Sequence, residues 1–176
     1  MKKRANRPSR SAAAPRSAAA PRSAAAPETA LRLDEQLCFA LYTASRTVTA
    51  FYRPLLDALG LTYPQYLALL VLWERGPSLV KDLAAALGLD YGTLSPLLKR
   101  LESAGLITRA RQADDERSVA IALTEVGSAL KGRCEGLPSL VAGAMGRDPD
   151  GLARMRASIL RLTKSVAAAS RDRDEP

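Results

Sequence analysis

The chain has 176 residues and no histidine, and that one absence excludes Ser-His-Asp and Cys-His catalysis together with most zinc chemistry. Cysteine is scarce as well. Two thiols cannot staple a secreted scaffold, and they fit a reducing compartment such as the cytoplasm. Long apolar runs are missing: the longest, residues 66–73, falls well short of the ~18 residues that a membrane span needs. Lys2, Lys3 and Arg4 open the chain, but no apolar segment follows them, so no secretory signal is expected. These absences point away from an enzyme, a membrane protein and a metal or cofactor carrier. What remains is 47% hydrophobic residues, ample for one core.

The formal net charge is +8, and its location matters more than its size. Residues 1–27 carry Lys2, Lys3, Arg4, Arg7, Arg10, Arg16 and Arg22 with no acid. Removing those seven leaves 19 basic residues against 18 acidic ones, so the body is nearly neutral and the high pI describes the tail. Residues 10–27 are three copies of RSAAAP, in which a proline every sixth residue stops a helix before it repays its nucleation cost. A disordered basic tail is expected over 1–27, followed by one folded domain over 28–172. Its options are non-specific attraction to phosphates or no role beyond a solvated extension.

The most informative stretch is 80–101, VKDLAAALGLDYGTLSPLLKRL. Leu83, Leu87, Leu94 and Leu97 are spaced for the facing sides of two short helices. Gly88 falls where a left-handed residue closes the first, and Asp90 can cap the second. This is a helix-turn-helix pattern, although a plain helical hairpin uses the same residues. After Gly105 the period changes from helix to strand. A strand at 107–111, a polar tip QADDERS at 112–118, and alternating Val119, Ile121 and Leu123 together make a β-hairpin wing. The fold class expected is therefore mainly α, a winged helix-turn-helix over about 62–124.

Flanking helices complete the picture. Leu33, Leu37, Leu41, Ala44, Val48, Phe51 and Leu55 mark a helix from 33 to about 59, bent near its end at Pro54. Pro64 suits the first turn of the next helix, which Gly76-Pro77 ends. Thr124 can cap a helix running from Glu125 towards Met145, bent at Pro138. A last helix, starting near Asp148 or Asp150, carries Leu152, Met155, Ile159, Leu162 and Val166 in a coiled-coil-like seam. Two apolar stripes, about 31–60 and 125–170, suggest either an intramolecular bundle or a homodimer. The dimer is favoured because two reading helices ~34–36 Å apart match a pseudo-palindromic site in double-stranded DNA. Asp90, Tyr91, Gly92, Thr93 and Ser95 would face base edges, Lys99 and Arg100 phosphates, and Arg117, oriented by Asp115, a minor groove. Pro96 is awkward there and predicts that the regular helix starts nearer Thr93.

Cys38 lies near the start of the first long helix, about one turn in if Asp34 caps it. The helix start favours a thiolate there, while Asp34 and Glu35 oppose it. Tyr42 is at i+4, and Tyr52 and Tyr63 could supply further hydroxyls. On spacing alone an inert core thiol is the plainer reading. The segments LCFALYTASR, FYRPLLDALGLTYPQYLALLVLWE, LDYGTLSPLLKRLESAGLITR and DDERSV together resemble the organic hydroperoxide resistance regulators of the MarR family, over roughly 33–137. That resemblance implies a dimeric repressor whose peroxide-sensing thiol is Cys38. It also implies that Tyr42, Tyr52 and Tyr63 surround that thiol, the last two reaching over from the partner subunit. Oxidation by an organic hydroperoxide, followed by condensation with a thiol, would then release the operator. The condensing thiol is either Cys134 or a low-molecular-weight thiol. Tyr91 departs from the family's small polar residue, and the basic tail is not a family feature. Two other readings stay open: a MarR-type repressor opened by a phenolic or aromatic ligand, and a thiol peroxidase.

Overall fold

The computed structural model describes residues 31–112 and 115–174, the side chains of 111–118 and 174 excepted. The basic tail expected over 1–27 therefore lies outside the described residues. The chain parts into two units, residues 1–40 and 41–176. In the first, Leu33–Glu35 forms a 3-10 turn, Gln36 turns extended, and helix α1 (Leu37–Asp57) begins. The helix expected from residue 33 thus starts four residues later, and Asp34 does not cap it. Arg32 instead holds Asp34 at 2.9 Å and Glu35 at 3.6 Å, local pairing that suits the tighter turn.

The second unit holds the core. Pro54 lies inside α1, which continues to Asp57. Helix α2 (Tyr63–Arg75) opens where the Gln65 side-chain oxygen accepts from both the amide and the hydroxyl of Thr62, at 2.8 and 3.0 Å, with Pro64 in its first turn. A two-residue strand β1 (Ser78–Leu79) leads into α3 (Val80–Leu87). Gly88 then turns left-handed (φ 63°, ψ 33°) at the corner the sequence marks for it, and α4 (Tyr91–Ser103) follows. Strands β2 (Ile107–Gln112) and β3 (Asp115–Leu123) form the antiparallel wing, and β1 adds to its other edge in the order β1-β3-β2.

Leu83 and Leu94, Leu98 and Leu101 from the two helices of the motif are fully buried with Leu69, Leu72 and Ile121. The result is a winged helix-turn-helix. Beyond it the helix expected from Glu125 to Met145 breaks completely, into α5 (Glu125–Cys134) and α6 (Leu137–Ala144). Gly136 precedes the second piece and Pro138 sits in its first turn, where a missing amide costs least. Helix α7 (Pro149–Asp174) has no buried side chain among the described residues, and the Asp148 carboxylate accepts from the Gly151 amide at its start. No helix among the described residues is long and apolar enough to cross a membrane.

Candidate functional site

The start of α4 is built around one carboxylate. Asp90 Oδ1 accepts from the Thr93 amide and Oδ2 from the Thr93 hydroxyl, both at 2.8 Å. These bonds hold the Asp90 carboxyl below the usual carboxylate range. A Cβ on residue 92 would stand 3.0 Å from Asp90 Oδ1, so Gly92 keeps room for the cap. The helix is regular from Tyr91, earlier than expected, with Pro96 inside it. The carbonyl that the proline ring meets, four residues back, belongs to flexible Gly92, which can tilt away. Tyr91, Gly92 and Thr93 are exposed and Ser95 is half-buried at the N-terminal end of α4, while Lys99 and Arg100 are exposed near its other end, so the predicted reading residues lie along one helix.

The wing is longer than the sequence suggests. Strand β3 already begins at Asp115, with a register shift at Arg111/Gln112, so part of the expected polar tip is strand and Gln112 pairs with Asp115. Asp115 and Arg117 lie on that strand, and their side chains fall outside what is described, as do Ala113 and Asp114. The base of the wing is pinned at a residue the sequence reading passed over. The Gly127 amide donates to Thr124 Oγ1 (3.0 Å), its carbonyl accepts from Trp73 Nε1 (2.9 Å), and a Cβ there would overlap the Leu106 carbonyl. Thr124 Oγ1 also donates to the Gly105 carbonyl at 2.7 Å. One glycine thus joins α2, the wing and α5.

The two thiols differ sharply. Cys38 is exposed in the first turn of α1, and Cys134 is buried at the end of α5 with its thiol pushed up by burial. Cys38 belongs to the first unit and Tyr42, Tyr52 and Tyr63 to the second. Tyr42 is exposed and accepts a hydrogen bond from Arg46 at 2.8 Å. Tyr52 and Tyr63 come together with ring centroids 4.9 Å apart. Tyr66, which opens the longest apolar run and was not among the expected hydroxyls, completes the cluster at 5.7 and 6.5 Å. Burial raises all three phenols, that of Tyr66 to about 12. Beside Tyr63 an open cleft of about 490 Å³ is lined by Arg46, Thr49, Arg53 and Thr62. Cys134 lines another, of about 370 Å³, with Tyr66, Trp73 and Lys131, and the buried Tyr66 hydroxyl has no hydrogen-bond partner among the described residues.

Residues 50–133 match the SarA/Rot transcriptional regulator family. A protein of Bacillus subtilis (strain 168), described as an organic hydroperoxide resistance transcriptional regulator, is 46% identical over 136 residues, 77% of this chain and 92% of that protein. Reduced AbfR bound to DNA superposes with a TM-score of 0.66 at 35% identity, covering 77% of this chain and 95% of AbfR. Overoxidized AbfR bound to DNA gives 0.64 at 36% identity over the same shares. AbfR is a Staphylococcus epidermidis protein.

Proposed function

Since this chain belongs to the organic hydroperoxide resistance regulators, MarR-type winged-helix proteins, we propose that it is a cytoplasmic dimeric repressor that leaves its operator when Cys38 is oxidised. The observation that carries this reading is that one chain has both a capped, exposed recognition helix and an exposed thiol in the first turn of a long helix.

The chemistry needs only the thiol and its oxidant. The Cys38 thiolate attacks the outer oxygen of an organic hydroperoxide, the O–O bond breaks, an alcohol leaves, and Cys38 becomes a sulfenic acid. A second thiol then displaces water and forms a disulfide with Cys38. Burial keeps Cys134 protonated and covered, which supports a low-molecular-weight thiol as that partner. Overoxidized AbfR is described on DNA, which supports assigning release to the bulkier condensed form and not to added oxygens alone.

Dimerisation supplies the lever. Phe51 on α1, and Met155, Ile159, Leu160 and Val166 on α7, stand in water at 41–58% exposure, apolar faces of the kind a second copy covers. Tyr63 lines the open cleft and Tyr52 packs beside it, which supports setting the segment that carries Cys38 of the partner subunit against this face. Bulk added at that thiol rotates the two heads, and both must fit adjacent grooves at once. Specific binding of this kind is worth about 4–10 kcal/mol over non-specific binding, so a small rotation forfeits much of it.

A labelled duplex enriched by the reduced protein from a random library tests this by fluorescence anisotropy. Cumene hydroperoxide with a small thiol releases the wild type, and Cys38→Ser stays bound. Release of both removes Cys38 as the switch. A second reading rests on the Cys134 cavity, where the unpartnered Tyr66 hydroxyl suits a small aromatic ligand. Release by salicylate under full reduction would favour it. Sustained peroxide turnover with excess thiol would favour a thiol peroxidase instead.

A further inference from the structure

We infer that Tyr91 is a sequence-reading residue, its ring packing against the 5-methyl group of a thymine in each half-site. This rests on the reading of the chain as an operator-binding regulator. Major-groove discrimination usually falls to Arg or Lys on guanine and Asn or Gln on adenine, and residues 90–95, DYGTLS, contain none of these. Asp90 has lone pairs left to accept from cytosine, but Thr93 holds both of its oxygens in the helix cap, which fixes the carboxylate on its own backbone. The same cap engages the Thr93 hydroxyl proton. Leu94 is fully buried, and Ser95 is half-buried.

Tyr91 remains. It is the first residue of α4, the end that meets base edges, and its side chain is 63% exposed with no hydrogen-bond or ring partner among the described residues. The one apolar group that bases present in the major groove is the thymine methyl, and an unpartnered ring at the helix tip is its complement. The phenol hydroxyl is secondary in this arrangement. The ring carries the preference.

Selection from a random duplex library, run with reduced full-length wild type, Tyr91→Phe and Tyr91→Ser, reads this directly. Wild type and Tyr91→Phe enrich thymine at one pair of positions symmetric about the dyad. Tyr91→Ser loses that preference and keeps the others. Deoxyuridine at that position weakens wild-type binding about fourfold, the worth of one buried methyl group, and leaves Tyr91→Ser unchanged. Identical preferences for all three proteins, or an equal loss on every sequence with Tyr91→Ser, would overturn the assignment while leaving the repressor reading intact. If the wild type enriches no symmetric sequence, the repressor reading falls, and this inference with it.

Discussion

The reading head and the last helix, α7, are built to opposite standards. In the head, Leu83, Leu94, Leu98 and Leu101 are fully buried, a carboxylate caps α4, and Gly127 ties the wing to α2 and α5. Along α7 no side chain among the described residues is buried, and Ile159 and Val166 stand 42% and 58% exposed. One chain is enough to finish the first. On the proposed reading the second is one half of a dimer interface, and a regulator that turns chemistry at a thiol into movement would have its loose joint there.

Substitutions sharpen that contrast. Leu98→Ala should cost about 2–5 kcal/mol in urea unfolding, the price of a cavity in a packed core. Ile159→Asp should leave the head folded by circular dichroism while light scattering shows the mass of a monomer. If it unfolded the head, the two regions would not be separable. Gly127→Ala should cost about 1–3 kcal/mol, because its methyl group collides with the Leu106 carbonyl. Thr124→Ala removes a cap and should cost about 1 kcal/mol, most of it restored in Thr124→Ser.

Much of the head was legible because local chemistry decides it. Gly88 needs its left-handed turn, Asp90 and Thr124 sit where orphan amides need an oxygen, and alternation marks β3. The rest depends on partners distant in sequence or on competition between neighbours. Strand β1 is two residues long and has no period to read; only β3 makes it a strand. Arg32 pairs with Asp34 in the turn just before α1, a local contact that no period marks, and Glu135-Gly136 interrupt a helix that its apolar pattern would have carried through. Tyr66 was hidden by being in the core and in the phenol cluster at once.

Two smaller effects test the remaining asymmetries. Tyr52, Tyr63 and Tyr66 ionise late because burial favours the neutral phenol. An unfolded chain releases those protons near pH 10, so the stabilisation is whole below that pH. It is lost as pH rises towards about 12. Absorbance of the phenolate should therefore rise late and together with loss of the near-ultraviolet circular dichroism. Deleting residues 1–27, with seven basic residues and no acid, should leave the melting temperature unchanged and flatten the salt dependence of DNA binding. Loss of all binding would instead make the tail the main DNA-binding element.

Native mass spectrometry of the protein–duplex complex, after one equivalent of cumene hydroperoxide and a small thiol, bears most directly on the coupling of Cys38 to DNA. The account predicts that DNA-free dimers carry the thiol adduct on Cys38 and that DNA-bound dimers are unmodified. Equal modification of Cys38 in the bound and free populations would contradict it.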